Sequence, residues 1–466
     1  MKLYNTLTRR IDRFRPLNPP LVTLYTCGPT VYDYTHIGHM RKFIGDDVLK
    51  RSLRYLGYTV RHIMNITDVG HLTSDEDAGE DKLEKGARKT GKTVWEVAKF
   101  YTDFFFETMD SVAVERPDTV AKATDHIDDM VSLAKRLVEN GHAYETPEAV
   151  YFDVTTFPTY GCLSGQKLED KIKGAREETY VDPAKRHPAD FALWFKRTGR
   201  FADHTMHWPS PWGEGFPGWH IECSAMSMKY LGDTIDIHTG GIDHVPVHHE
   251  NEIAQSEAAT GHPFVRYWVH HAFLQVDGEK MSKSLGNFYT IADIRKQNIE
   301  PLAIRLLFFQ THYRQPTNFT WTAAHSAQTA LSKLRTQVSG LAEATAGPLS
   351  EQAESFRAAF GAALGDDLQM PRAIAVLWDM LKSDIPSGEK RRLALGIDEV
   401  LGLGLATQKE EKIPDAIMEL AQQRNAAKIN KDFATADRLR DEIAKRGFVI
   451  EDTKKGFALT RKHSNS

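Results

Sequence analysis

The sequence predicts an α/β protein: a parallel sheet split by an inserted module, then a run of helices and a small C-terminal segment. Three observations carry this. A strand–helix–strand pattern fills residues 21–66, and a second βα region resumes near Trp219. A proline-rich stretch at 144–218 separates the two halves. From residue 291 to 405 the apolar spacing is mostly helical.

Leu21–Thr26 is a short apolar and β-branched run ended by Gly28-Pro29. Residues 38–56 repeat apolar side chains at Phe43, Ile44, Val48, Leu49, Leu53 and Leu56, a helical spacing that Gly57 stops. Thr59–Ile66 reads as the next strand. Strand, helix and strand of these lengths imply parallel pairing through a right-handed crossover. Ligands of such sheets bind beyond the carboxyl ends of the strands, so Cys27-Gly28 and Thr67-Asp68 are expected side by side. The charged run 75–92 reads as a mobile surface excursion, and helices are expected at Val94–Ser111 and 126–140. Seven prolines between 144 and 218 mark an inserted module of short strands. A strand at 234–239, a helix at His248–Thr260 and a strand at 267–276 rebuild the sheet. Helices then continue, with breaks at Ala346-Gly-Pro348 and Ile385-Pro-Ser-Gly388, and the polar run 408–412 sets off the final segment. The expected domains are 1–117 and 217–290 for the two halves of the sheet, 118–216 for the insertion, 291–407 for the helices and 408–466 for the C-terminal domain.

Composition narrows the class. At about 150 residues per domain, 466 residues make roughly three domains. Hydrophobic residues at 41% and charged residues at 26% exclude a disordered or fibrous chain. The net charge of −4 gives no global basic field, so any nucleic-acid site must be a local patch. Three cysteines make no disulfide framework, which points to a reducing, cytoplasmic setting. Residues 1–15 lack the apolar core of a secretory signal, and no stretch approaches 18 consecutive apolar residues, so no membrane association is expected. Ten of the 20 histidines fall between His204 and His271.

Three constellations carry chemistry. Thr35-His36-Ile-Gly38-His39 opens the first helix, where unpaired N–H groups and the helix dipole favour a phosphate. His36 and His39, three apart, share a face there, although a bare H-x-x-H also fits an ordinary polar loop. Lys280-Met-Ser-Lys283-Ser-Leu-Gly286 puts two lysines on a pliable turn suited to a leaving phosphate, or to plain solvent. His248 and Glu252 lie one helical turn apart, and with Cys27 and Cys223 they form a zinc-like donor set. Without a C-x-x-C pair, those cysteines also fit two buried free thiols. Cys162 has no ligand-like neighbour and reads as structural.

Taken together, His36-Ile-Gly-His39 and Lys280-Met-Ser-Lys-Ser284 resemble the two signatures of class I aminoacyl-tRNA synthetases. Tyr25-Thr-Cys-Gly-Pro-Thr-Val-Tyr-Asp33, Pro217-Gly-Trp-His-Ile-Glu-Cys-Ser-Ala-Met226 and His248-His-Glu-Asn-Glu-Ile-Ala-Gln255 resemble the cysteinyl-tRNA synthetase family. So do Lys431-Asp-Phe-Ala-Thr-Ala-Asp437 and Arg440-Asp-Glu442. The resemblance implies a Rossmann-like nucleotide-binding domain with an inserted module, a helical bundle and a C-terminal anticodon-binding domain. It implies one Zn²⁺ on Cys27, Cys223, His248 and Glu252, and Mg²⁺ arriving with ATP. It implies that His36, His39, Lys280 and Lys283 handle ATP and are catalytic. Gly28, Thr67, Trp219 and Asp243 would surround the amino acid, with Asp243 facing its ammonium group. The partners implied are ATP, L-cysteine and the tRNA for cysteine, with the enzyme a monomer. Rejection of serine demands a factor of roughly 10⁴–10⁵ that an apolar pocket does not supply. That factor is about 5.5–7 kcal/mol.

Residues 421–466 hold eleven basic side chains against six acidic ones, a local surplus suited to an RNA backbone or to a solvated helix. The chain departs from the family in Asp243-His-Val-Pro-Val-His248, which lacks an aromatic before the proline, and in Phe457 near the end, where a tryptophan is common. Two other readings share the motifs: an enzyme ligating cysteine to an amino sugar, which lacks a full tRNA-binding end, and a catalytically silent RNA-binding relative.

Overall fold

The computed structural model describes residues 1–70, 72, 81–168, 182–282, 285–406, 414–453 and 456–461. It divides into two units, Met1–Ala406 and Thr407–Ser466.

The first unit opens with a hairpin of β1 (Lys2–Asn5) and β2 (Arg10–Arg13). β3 (Leu21–Thr26), α1 (Ile37–Tyr55) and β4 (Thr59–Ile66) follow, with the strands parallel from Leu21 opposite Thr59 to Thr26 opposite Met64. α1 lies buried on both sides, so its inner surface includes Arg41, Asp46, Asp47 and Lys50 as well as the apolar stripe. α2 (Lys82–Thr90) and α3 (Val94–Ser111) lead to β5 (Thr119–Lys122), the edge strand of the parallel sheet, and to α4 (Ile127–Glu139). β6 (Ala143–Glu145), β7 (Ala149–Phe152), β8 (Phe191–Lys196) and β9 (Gly215–Pro217) form a separate four-stranded antiparallel sheet. α5 (Trp219–Leu231), β10 (Ile235–Gly241), α6 (His248–Thr260) and β11 (Val265–His271) then complete a five-stranded parallel sheet of order β11-β10-β3-β4-β5. The strand order reverses between β3 and β10. At such a switch point the flanking connections leave on opposite faces and open a crevice beyond the strand ends.

Two expectations need correction. Residues 82–90 of the charged run form α2, not a loose excursion; Asp81 caps the helix and Leu83 is fully buried. Asp81 is itself buried, with Oδ2 3.1 Å from His204 Nε2, so charge here serves an internal contact. The rest of that run, 75–80, lies outside the described residues. The strand expected at 267–276 is broken: β11 ends at His271, because the Ala272 N–H donates to the Tyr313 carbonyl. β12 (Leu274–Val276) instead joins β13 (Glu279–Lys280) and β14 (Thr317–Phe319) in a small separate sheet.

Six helices follow the lysine turn: α7 (Ile291–Lys296), α8 (Pro301–Phe308), α9 (Trp321–Ser339), α10 (Glu351–Gly365), α11 (Met370–Lys382) and α12 (Ser387–Leu401). Leu331, Leu334, Phe360 and Ala394 from these helices share one apolar core with Ile44 and Val48 of α1. Arg305 of α8 is fully buried within this core. Its guanidinium donates to the carbonyls of Val112 (3.1 Å), Ala113 (3.2 Å) and Leu401, and pairs with the Asp47 carboxylate on α1.

The second unit packs α13 (Asp415–Ile429) and α14 (Phe433–Lys445) beside a hairpin of β15 (Phe448–Thr453) and β16 (Gly456–Arg461). Ile417, Ala421, Ile443, Phe448 and Ile450 form its core. Among the described residues no helix is long and apolar enough to cross a membrane.

Removing one partner of a buried ion pair leaves the other charge uncompensated. Asp47→Ala is therefore expected to destabilise the chain by about 3–5 kcal/mol in urea unfolding.

Candidate active site and metal centre

The site grows out of the crevice end of β3. The Cys27 N–H donates to the Thr239 carbonyl across the sheet at 3.2 Å. At Gly28 any side chain is excluded, because a Cβ would lie 1.6 Å from the Asn65 carbonyl oxygen. The Gly28 N–H donates to Asn65 Oδ1 at 2.7 Å, and Asn65 Nδ2 donates to Thr67 Oγ1 at 3.1 Å. Thr67 in turn donates to Glu222 Oε2 at 2.8 Å. The expected neighbourhood of Cys27-Gly28 and Thr67 is present, and α5 joins it through Glu222.

α5 and α6 bring two more ligand-bearing stretches to the same point. α6 is buried nearly all round although it reads His-His-Glu-Asn-Glu, so each polar group needs a partner. Glu250 accepts from the N–H groups of Gly161 (2.9 Å) and Ser164 (2.8 Å), and Gln255 Nε2 donates to the His220 carbonyl (2.6 Å). Cys27, Cys223, His248 and Glu252, all buried, present donor atoms within 4.8 Å of one another, a cluster able to hold a metal ion. The two sulfurs are 3.8 Å apart, and His248 Nε2 is 3.0 Å from Glu252 Oε1. Two thiolates on one tetrahedral ion at about 2.3 Å stand about 3.8 Å apart, so the donor set fits zinc.

The electrostatics point the same way. Burial, together with the nearby Cys27, raises the Cys223 thiol well above its usual range. Burial would discharge His248, but Glu252 and Cys223 override it and push the imidazole up to about 10. Burial would also protonate Glu252, but His238 and His248 hold it down to about 2. Sulfur and carboxylate donors packed without solvent are satisfied best by a central cation.

Around this cluster lies a layer of histidines. His238 Nε2 holds Glu252 Oε2 at 2.9 Å, and His220 Nδ1 meets His248 Nδ1 at 3.0 Å. His249 Nε2 sits 3.3 Å from Cys27 Sγ and passes a contact of 2.7 Å to His270, which meets Thr6 Oγ1 at 2.7 Å. Cys27, His238, His249 and Glu252 form a second set within 4.8 Å, sharing two members with the first. Spacing selected His248 and passed over these neighbours. The only signal for them was the excess of histidine between residues 204 and 271.

His36 is the N-cap of α1. Its Nδ1 accepts from the N–H groups of Gly38 (3.1 Å) and His39 (3.3 Å), while His39 Nδ1 accepts from the His36 N–H (3.4 Å). The two rings stack with centroids 3.6 Å apart. With Nδ1 accepting, each neutral ring carries its proton on Nε2. Lys280 is exposed at the end of β13, and the turn after it reaches the same helix start. Met281 lies over Gly38, and the Ile37 N–H donates to the Tyr289 carbonyl at 2.9 Å. Lys283 lies outside the described residues. Trp219, the first residue of α5, stacks on His248 with ring centroids 4.2 Å apart. Asp243 is exposed, and its charge acts on His39 and His244. Cys162 stands apart from the cluster, exposed, with Sγ 3.8 Å from Glu250.

Residues 13–329 match the family model for the class I (C) tRNA synthetase catalytic domain, and 410–457 match the cysteinyl-tRNA ligase anticodon binding domain. A cysteine–tRNA ligase of Treponema denticola is 43% identical over 97% of this chain and 98% of its own. One from Deinococcus radiodurans is 44% identical over 98% and 96%. The chain belongs to the cysteine–tRNA ligase family.

Every candidate site residue lies inside the segment matched by the catalytic model of that family, and the anticodon model falls within the second unit. Solved structures agree on the class I fold. An Agrobacterium radiobacter LeuRS in a ternary complex with tRNA and LeuAMS aligns with a TM-score of 0.58 at 12% identity, over 84% of this chain and 85% of that one. Mycobacterium tuberculosis methionyl-tRNA synthetase bound to methionyl-adenylate gives 0.53 at 15%, over 82% and 90%.

The layer of histidines makes a prediction within this cysteine–tRNA ligase architecture. His238→Ala, which frees one oxygen of Glu252, should weaken metal binding about 10–100-fold in chelator competition while the four donors remain.

Proposed function

We propose that this chain joins L-cysteine to its tRNA in two steps: ATP-dependent formation of cysteinyl-adenylate, then transfer to the 3′-terminal adenosine. The carrying observation is the buried Cys27, Cys223, His248 and Glu252 cluster beside the His36/His39 helix start, in a chain whose relatives are cysteine–tRNA ligases. Those four side chains would hold one Zn²⁺, which when bound supplies a thiophilic contact that a cysteine thiolate satisfies and a serine hydroxyl does not.

The remaining work falls to this chain's own groups. Gly28, packed against the Asn65 backbone where no side chain fits, would border the amino acid at the end of β3. Trp219, stacked on His248, walls the pocket, and Thr67, fixed by Asn65 and Glu222, presents its oxygen from the next strand. Asp243 offers an exposed carboxylate to the substrate ammonium. The Nε2–H groups of His36 and His39 face the triphosphate. Lys280 and Lys283 offset its charge as pyrophosphate departs, and Mg²⁺ enters with ATP. A carboxylate oxygen of cysteine attacks the α-phosphorus and the bond to pyrophosphate breaks. A ribose hydroxyl of the tRNA then attacks the activated carbonyl and AMP leaves. Neither step needs a covalent enzyme intermediate, so orientation and charge stabilisation carry the rate.

The second unit would read the tRNA. Some of its basic side chains are taken up by internal pairing. Arg424 is buried, and Arg424 and Lys428 both pair with Asp452. Among the described residues, exposed Lys431, Arg438, Arg440 and Lys445 are available to backbone phosphates. Two ligand cysteines must stay reduced, so we place the enzyme in the cytoplasm.

Cysteine-dependent ATP–pyrophosphate exchange and tRNA charging test the whole reading. Absence of exchange by zinc-loaded protein would refute it, and transfer of cysteine to an amino sugar in place of tRNA would redirect it. Cys223→Ser should abolish exchange while circular dichroism stays native; full activity in that variant rules out the thiolate contact. Lys280→Ala should lower kcat for exchange about 10²–10³-fold with little change in the KM for cysteine, because phosphate charge develops in the transition state. A chain ending at residue 406 should keep exchange and lose charging, measured with the same tRNA.

A further inference from the structure

One buried charged group at the crevice has no part in the chemistry above. Lys42 lies on α1, one turn beyond His39, with a side chain only 12% exposed. Its ammonium donates to the Cys27 carbonyl and pairs with Asp46 at 2.9 Å. Asp46 is buried too, and its Oδ1 lies 2.9 Å from His271 Nε2 at the end of β11. His271 fits there because residue 45 is glycine; a Cβ would lie 2.3 Å from the imidazole Cε1. A Lys–Asp–His chain thus runs from the end of β3, across α1, to the end of β11.

Cys27 is the one metal-ligand candidate carried by a strand end and not by a helix. A strand end is held by few ladder bonds and needs other anchors. Its N–H is fixed by Thr239, and the next N–H, of Gly28, is fixed by Asn65. The carbonyl between them is fixed by Lys42. With both flanking peptide planes held, only the χ1 rotation remains to place Sγ. A neutral donor there would leave Asp46 buried without its cation.

We infer that Lys42, tethered through Asp46 to His271, is a positioning residue that fixes the Cys27 sulfur for the metal and thereby for the substrate thiolate. This rests on the function proposed above. It predicts a loss concentrated on the metal and the amino acid, since the Lys42 ammonium bonds the Cys27 carbonyl, whereas it reaches His39 only through its charge.

The test uses full-length zinc-loaded protein with Lys42→Met, Lys42→Arg and Asp46→Asn. Zinc affinity is read by competition with a chromophoric chelator, and KM values by pyrophosphate exchange. Lys42→Met should weaken zinc about 10–100-fold, the usual effect of losing a group that orients a ligand. It should raise the KM for cysteine about tenfold while the KM for ATP moves less than about twofold. Lys42→Arg, which keeps a cationic donor, should recover part of both losses. Asp46→Asn should shift both quantities in the same direction by less, and it carries the test if Lys42→Met does not fold. Wild-type zinc affinity and cysteine KM in Lys42→Met, or in Asp46→Asn where Lys42→Met fails to fold, overturn the inference. A rise in both KM values alike would mark Lys42 as a general structural residue and overturn it as well. If the wild-type protein neither binds zinc nor exchanges pyrophosphate, the functional reading itself falls.

Discussion

Two sulfurs, a carboxylate and an imidazole share a volume from which water is excluded, and much of this molecule is arranged around that fact. Like charges so close repel, and burial alone would neutralise the thiols. A divalent cation turns the same crowding into attraction. The four donors come from three stretches: the end of β3, one turn into α5 and the first turn of α6. The parallel sheet and its reversal of order between β3 and β10 bring those stretches together. The fold is therefore the means by which residues more than 200 positions apart come together as one candidate metal centre.

The second layer explains why α6 can be polar and buried at once. His238 engages the outer oxygen of Glu252, and His220 backs His248. A helix of the same composition on a surface would need none of this. Here the contacts fix Glu252 and His248 in place, which would lower the reorganisation that metal binding requires. The start of α1 follows a similar logic, with His36 and His39 each spending Nδ1 on the helix cap.

Much of this was legible in the sequence. The strands at Leu21–Thr26 and Thr59–Ile66 and the helices at Val94–Ser111 and His248–Thr260 match the bounds expected for them. The pairing of His248 with Glu252 was legible in helical spacing, whereas joining Cys27 and Cys223 to them leaned on the family motifs, since no local spacing links those cysteines. What escaped is tertiary in origin. A strand ends at His271 because a neighbouring carbonyl, from Tyr313, takes the next N–H. Asp81, Arg424 and Lys42 look like surface charges in one dimension, yet each is drawn inward by a partner more than a dozen positions away. The charge of a segment predicts its exposure only when such partners are missing.

The break between β11 and β12 has a mechanical meaning. His270 and His271, which back the cluster, are the last residues on the rigid parallel sheet. The segment bearing Lys280 is carried by another platform: it pairs with β12, which in turn pairs with Thr317–Phe319. The donor cluster and the lysine segment therefore sit on different supports, and two residues join the two sheets. Under the proposed chemistry, movement at the lysine segment would leave the sulfur donors on their own anchors.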